Sequence, residues 1–206
     1  MANLSTNQTE RNSLFNVNRY ISCKTPECFK LNYDNDYKNH NQLPNNFTYD
    51  YCYTNKLMLL HQNIWGISNK IDEFLISLSS NAPQVICLTE HHLMTEENGN
   101  VNLSQYALRA TFCRQTCKHG GVCIYVLKDI QFNTINLDQY NKEKDLEICA
   151  LNLRLLSSSF TIICIYRSPT GNFTYFSNQL ESILNKMYSY SYYSLPSCLS
   201  YLYFNY

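Results

Sequence analysis

The chain has 206 residues, enough for one domain with a proper core. Its 16 basic and 16 acidic side chains cancel, and residues 57–188 alone carry ten against eleven. That balance argues against a strongly electrostatic nucleic-acid or membrane binder, so any contact with DNA has to rest on a site rather than on a global field.

No apolar run approaches the ~18 residues that span a bilayer, and the opening stretch MANLSTNQTERNS has no apolar signal region. The expectation is an intracellular protein that does not enter a membrane, with nucleus or cytoplasm left open. The ten cysteines do not read as a disulfide framework. Cys87, Cys123, Cys149 and Cys164 lie inside the β-type runs VICLTE, VCIYVL, LEICAL and TIICIY, where a free thiol acts as a small hydrophobe. In a reducing interior the sequons at Asn46 and Asn172 are chance matches in an Asn-rich chain.

Residues 1–56 are polar and Asn-rich with no sustained apolar period, and are expected to be mostly disordered. Cys23, Cys28, His40 and Cys52 superficially resemble a zinc knuckle. A C-x4-C pair followed by a distant His is poor ligand spacing, and no second close pair completes it.

Residues 57–187 carry the organised pattern. LMLLHQN (57–63) reads as a buried strand. In SNKIDEFLISLSS (68–80), Ile71, Phe74, Leu75 and Leu78 fall at i, i+3, i+4 and i+7, which predicts an amphipathic helix capped by Ser68 or Asn69. Asn81-Ala82-Pro83 stops it, and VICLTE (85–90) is a second buried strand. A strand, a short helix and a strand form a right-handed βαβ unit with parallel strands, which puts Asn63 and Glu90 at one sheet edge. YALRATFC, GVCIYVL, IQFNTINL, LEICALNLRL and SFTIICIYR then read as strands joined by turns such as KHGG and LLSSS. FTIICIY is apolar on both alternating faces, so it predicts a central strand covered on both sides. After the turn Ser168–Gly171, the residues Phe173, Phe176, Leu180, Ile183, Leu184 and Met187 make a helical stripe. Residues 188–206 hold seven tyrosines and five serines with no charge, and read as low-complexity sequence rather than a further α/β element.

The order strand–QNIWG–helix, strand–TEHHL, HGGVCIYV, strand–IYRSPTGN resembles the endonuclease/exonuclease/phosphatase superfamily. Within it, residues 57–187 are most similar to the endonuclease domain of LINE-type (non-LTR) retrotransposons. The resemblance implies an α/β fold, a four-layer sandwich of two facing β-sheets with helices outside, that hydrolyses DNA phosphodiesters with a divalent metal. It further implies that Asn63 orders the metal-proximal strand end, that Glu90 ligates Mg2+, and that Tyr166 hydrogen-bonds the scissile phosphate with Arg167 as a second phosphate contact. Magnesium prefers a few hard oxygen ligands and retains waters, which suits one carboxylate and one amide oxygen, but so small a set is expected to bind this reluctantly dehydrating ion weakly or not at all.

Each of these residues also has a plain reading. Asn63 can simply end a strand, Glu90 can be a solvated strand end, and Tyr166 a core-edge aromatic. His91 and His92 are adjacent, would point to opposite faces of a strand, and are read as loop residues. His119 before Gly120-Gly121 is read as turn chemistry.

The chain departs from the family pattern in two ways. Trp65 stands where related elements often carry Arg. The motifs GDFN and SDH, whose Asp, Asn and His act on the nucleophile and phosphate, occur nowhere in the 206 residues. The expectation is therefore a partial sandwich truncated after its first half and catalytically inactive, with the Tyr/Ser tail arising from a frameshift or gene-model error. The alternatives are an active Mg-dependent nuclease completed by a missing exon or second chain, and a non-catalytic module that binds a protein partner. A sandwich lacking half its layers would bare ~500 Å² of sheet face, on the order of 12 kcal/mol, so the chain is also expected to aggregate, its oligomeric state unassigned.

Overall fold

The computed structural model describes residues 19–24, 56–78, 82–155, 158–193 and 198–203. The nine strands among them form two sheets. The first runs in the order β1-β2-β3-β5-β4, comprising β1 (Arg19–Lys24), β2 (Lys56–Asn63), β3 (Val85–Thr89), β5 (Val122–Leu127) and β4 (Tyr106–Phe112). The second runs β6-β7-β8-β9, comprising β6 (Gln131–Ile135), β7 (Glu147–Leu155), β8 (Ser158–Tyr166) and β9 (Cys198–Tyr203). Helix α1 (Ile71–Leu78) follows β2, and α2 (Phe173–Tyr193) follows β8.

Three apolar layers hold these elements together. Between the sheets, Leu57, Leu59, Val85, Cys87, Ile124 and Val126 of the first pack with Leu151, Leu153, Phe160, Ile162 and Cys164 of the second. The opposite face of the first sheet, through Leu60, Ile86, Leu88 and Tyr125, packs on Phe74 and Leu78 of α1. The opposite face of the second sheet, through Ile148, Ala150, Ile163 and Ile165, packs on Phe176, Ile183 and Met187 of α2. Period-2 alternation produces this division. In β8, Ile162 and Cys164 point to one layer while Ile163 and Ile165 point to the other, as expected for a strand covered on both sides. The expected uncovered sheet face is not found among the described residues, because each sheet covers the other.

Strands β2 and β3 are parallel, with Asn63 opposite Thr89, as a βαβ unit requires. The expected cap of α1 differs. Its first helical bond runs from Phe74 N–H to the Lys70 carbonyl at 2.8 Å, and Ile67–Lys70 form a turn rather than a cap on Ser68 or Asn69. The Lys70 ammonium explains this, since it donates to the carbonyls of Ile64 (2.8 Å) and Trp65 (2.9 Å) and thereby shapes the loop. Helix α2 starts conventionally: the Asn172 side-chain oxygen accepts from Tyr175 N–H at 3.0 Å. Phe173 leaves the expected apolar stripe and is exposed, its ring beside that of Phe176 and under the Arg167 guanidinium.

Two elements fall where composition suggested none. In the Asn-rich segment, Arg19–Lys24 pairs antiparallel with β2, giving that strand's open edge a partner; residues 1–18 and 25–55 lie outside the described residues, as do Cys28, His40 and Cys52 of the discounted metal arrangement. In the Tyr/Ser-rich stretch, α2 extends to Tyr193 and Cys198–Tyr203 pairs parallel to β8. Tyrosine has strong β propensity, and β8 supplies the ladder on which it acts.

Candidate active site

The register brings strand ends of both sheets to one edge. Parallel pairing places the ends of β2 and β3 together, and the antiparallel partner β5 starts there, with Val122 opposite Thr89. In the second sheet, the start of β7 meets the end of β8, with Glu147 opposite Tyr166. Loops leaving these ends hold the titratable residues.

Glu90 is the first residue beyond β3. Its backbone is left-handed (φ 54°) and pinned from both sides: its N–H donates to the Gly121 carbonyl at 2.8 Å, and its carbonyl accepts from Gly66 N–H at 2.8 Å. This conformation is uncommon for a residue with a side chain and breaks the strand's alternation. The carboxylate is consequently not a solvated strand end: the residue is only 6% exposed, and Oε2 is buried without a hydrogen-bond partner. The nearest basic side chain is that of His92, with Nε2 at 3.8 Å.

Tyr166 comes to Glu90 from the opposite sheet. Burial raises its hydroxyl pKa, and the neighbouring carboxylates of Glu90 and Glu147 raise it further. The phenol therefore stays protonated and remains a donor. Its ring packs in the layer between the sheets and lies 5.9 Å from the Arg114 guanidinium carbon.

Arg114 and Glu147 form a buried pair that the motifs did not single out. Arg114 Nε donates to Glu147 Oε1 at 2.7 Å, Nη2 lies 2.5 Å from the same oxygen, and Nη1 donates to the His119 carbonyl. Glu147 is fully buried and also accepts from Gly121 N–H (2.6 Å) and Lys144 N–H (2.9 Å). One signal could have revealed it: an acidic residue between Leu146 and Ile148 opens a strand otherwise apolar at its start. The pair bridges the two sheets directly behind Tyr166.

The remaining expected residues divide. Asn63 is at the right edge, but its side-chain oxygen accepts from Trp65 N–H at 3.1 Å and the residue is exposed. It shapes the β2–α1 loop. Arg167 turns away: Nη1 donates to the carbonyls of Ser168 (3.0 Å) and Gly171 (3.2 Å), and the guanidinium lies over the rings of Phe173 and Phe176. The structure thus brings Glu90 and Tyr166 together and holds Asn63 and Arg167 in local turns.

His91 and His92 both follow the end of β3, as loop residues should, but their surroundings differ. His91 is fully buried, its Nδ1 accepting from Leu93 N–H at 3.0 Å and its Nε2 lying 3.1 Å from the Phe112 carbonyl. Burial pulls its pKa down to about 4, so it is a neutral packing residue at pH 7. His92 is half-buried beside Glu90, and its pKa is lowered by burial and then by His119, with the Glu90 charge opposing. Its Nδ1 lies 3.3 Å from His119 Nδ1.

A divalent cation fits one part of this arrangement. The buried, unpartnered Oε2 of Glu90 is a hard anionic oxygen of the kind such an ion takes. Among the described residues, no group of three His, Cys, Asp or Glu side chains converges into a metal cage. Cys87, Cys113, Cys117, Cys123, Cys149 and Cys164 are free thiols, and burial pushes those of Cys87, Cys123 and Cys149 up, which suits packing rather than ligation. Among the described residues, no helix is long and apolar enough to cross a membrane.

No family model matches the chain, and no curated protein matches it. Solved structures do. The endonuclease domain of TRAS1, a telomere-specific non-LTR retrotransposon, aligns over 63% of this chain and 52% of its own at 14% identity and TM-score 0.46. TDP2 from D. rerio, complexed with a single-strand DNA product, aligns over 63% and 54% at 13% identity and TM-score 0.47. The AP endonuclease LMAP from Leishmania major aligns over 64% and 46% at 17% identity and TM-score 0.45. The chain spans about half the length of these solved chains, which are members of the endonuclease/exonuclease/phosphatase superfamily.

Proposed function

We propose that this chain carries one side of a metal-dependent DNA phosphodiesterase site, of the kind found in LINE-type retrotransposon endonucleases, and that its 206 residues bind a phosphodiester without hydrolysing it. The reading rests on the order of the sequence motifs and on one observation above all, the buried Glu90 carboxylate with an unpartnered oxygen and the Tyr166 hydroxyl at its side. A strained, buried carboxylate with one oxygen left without a hydrogen bond is a costly feature for a fold to keep. A divalent cation on Glu90 would offset that cost and act as a Lewis acid toward a phosphoryl oxygen.

The chain's own residues then have distinct parts. Glu90 would hold the cation, with Asn63 ordering the loop beside it rather than ligating directly. Tyr166, kept protonated, would turn its O–H from the carboxylate to a phosphate oxygen. Arg114 and Glu147 would position the Tyr166 ring. Arg167 has no part in this scheme, because its guanidinium is committed to the turn at the start of α2.

Hydrolysis additionally needs a group that orients and deprotonates water, and general-base assistance is worth ~10² to 10⁴ in rate. No GDFN or SDH motif supplies one here, which supports the partial-sandwich reading over an active enzyme. One feature favours the alternative of completion from elsewhere. Because β9 runs parallel to β8, its C-terminal end lies on the same sheet edge as Tyr166, so residues joined after it would start at the site.

The test uses the purified chain, a short DNA strand and supercoiled plasmid. The expected result is tighter strand binding in magnesium than in EDTA, loss of that difference in Glu90→Ala, and no nicking. Binding indifferent to both magnesium and Glu90→Ala would refute the reading. Nicking that needs magnesium and Glu90 would establish an active enzyme instead.

A further inference from the structure

Trp65 is the chain's single tryptophan, and it is 64% exposed. Burial of an indole is among the largest apolar gains open to a fold, so an indole held in water calls for a reason. It is held there firmly. Its backbone is left-handed (φ 46°), its N–H is bound by Asn63 Oδ1, and its carbonyl accepts from Lys70 Nζ. The rings beside it are imidazoles. His119 lies nearly parallel at 6.1 Å (13° between planes), and His92 stands edge-on at 5.3 Å (68°). His92 and His119 are also left-handed, at φ 59° and 68°. Three non-glycine residues in a conformation that disfavours side chains, from three different loops, together present one set of flat rings. Non-glycine residues in such conformations cluster where a ligand is met.

We propose that Trp65, backed by His119 and His92, is a stacking platform for a nucleobase of the DNA strand whose phosphate lies at Glu90 and Tyr166. The proposal rests on the phosphodiesterase-site reading above and adds to it the part of the ligand that the phosphate groups cannot recognise. Contacts connect the two places: Trp65 meets His92, His92 Nε2 lies 3.8 Å from Glu90 Oε2, and the Glu90 carboxylate is close enough to the Tyr166 hydroxyl to hold it protonated. A base is favoured over a protein side chain as the occupant because the platform's walls are flat heteroaromatic rings. A protein-docking patch is marked by contiguous exposed apolar surface, whereas the other exposed large apolar residues among the described ones, Ile76 and Phe173, lie on α1 and α2 rather than in the three loops that form the platform. Aromatic faces on which successive bases stack are a recurrent means of holding single strands, and the stack tolerates any base because every base has a π-face.

The lone tryptophan makes the proposal directly measurable. The full chain is titrated with a single-stranded DNA oligonucleotide and with one of the same length bearing a run of abasic sites, so that the phosphates match and only bases differ. Binding is followed by anisotropy of a label on the DNA, and stacking by quenching of Trp65 fluorescence. The expected result is that both strands bind and only the base-bearing one quenches. Trp65→Ala then weakens the base-bearing strand by about 5- to 150-fold, a base–aromatic stack converted at about 1.4 kcal/mol per tenfold. The abasic strand is unaffected by the substitution, and Trp65→Phe restores most of the preference. Equal quenching by both strands, or unchanged affinity in Trp65→Ala, overturns the platform while leaving the phosphate reading intact. If neither strand binds, both are overturned. If both bind but Tyr166→Phe weakens neither, only the phosphate reading falls. Trp65 is largely exposed, so its replacement should leave the fold in place, and Trp65→Phe carries the comparison should the alanine variant misfold.

Discussion

Replacing Arg114 with Met tests the claim that a buried ion pair joins the two sheets behind the site. Methionine keeps an apolar stem of similar length but removes the guanidinium, and with it the cation beside the Tyr166 ring. Glu147 would then keep only two of its donors, the N–H groups of Gly121 and Lys144, and would be a fully buried carboxylate without a counter-charge. The His119 carbonyl would lose its donor as well. Breaking a buried pair by removing one partner costs about 3–5 kcal/mol, a large share of the ~5–15 kcal/mol that holds a domain together. In urea unfolding followed by far-ultraviolet circular dichroism, with a slope of about 2 kcal/mol/M, the midpoint should fall by roughly 1.5–2.5 M. The double variant Arg114→Met/Glu147→Gln should recover part of the loss, because a neutral amide still accepts the two N–H bonds and needs no counter-charge. The coupling should then lie within ~0.5–3 kcal/mol. A midpoint shift below about 0.5 M for Arg114→Met, with the slope unchanged, would mean that Glu147 reaches water and that the pair does not join the sheets.

Two further perturbations probe the loop that carries Arg114 and His119. Glu143 accepts from the Thr116 hydroxyl and from the N–H groups of Gln115, Thr116 and Cys117. Burial raises its carboxyl pKa, but these bonds outweigh it and bring the pKa down to about 2, from an ordinary value of 4.5. The depressed value means that Glu143 stabilises the fold fully above about pH 4.5 and loses this effect as the pH falls toward 2. The gap in unfolding midpoint between the parent and Glu143→Ala should therefore close across that window, and a gap that does not vary with pH would contradict the assignment. Gly120, at φ 134°, has no room for a Cβ, which would overlap the Arg114 guanidinium. Gly120→Ala should combine backbone strain of ~1–3 kcal/mol with displacement of Arg114, and should weaken strand binding along with stability; wild-type stability and binding together would refute the close approach of Gly120 to Arg114.

The local elements are largely legible in the sequence. The stripe Ile71, Phe74, Leu75, Leu78 and the run VICLT each carry their period within a few residues, and period is what burial on one face or two imposes. The βαβ connection placed Asn63 and Glu90 on one edge because handedness and parallel pairing follow from chain sterics alone. Edge position, however, is not side-chain direction. Asn63 bonds its own loop, Arg167 bonds the turn after it, and Glu90 turns inward because a left-handed backbone reverses its strand alternation. None of these choices has a signature in residue type or spacing.

The Arg114–Glu147 pair shows the limit most clearly. The two residues are 33 apart in sequence, Arg114 following a strand of the first sheet and Glu147 opening a strand of the second. The hairpin register that sets Glu147 opposite Tyr166 does not say what faces them across the sandwich. The Trp65–His92–His119 cluster is of the same kind, with members from three loops that meet only because β2, β3 and β5 share an edge. The sequence by itself determined most of the strands, the helices and the edge to which the chemistry-bearing residues come, since those follow from local periodicity and chain handedness. Only the tertiary structure decided which of these residues meet, because desolvation, ion pairing and ring contact act between atoms that packing brings within a few ångströms, regardless of their separation along the chain.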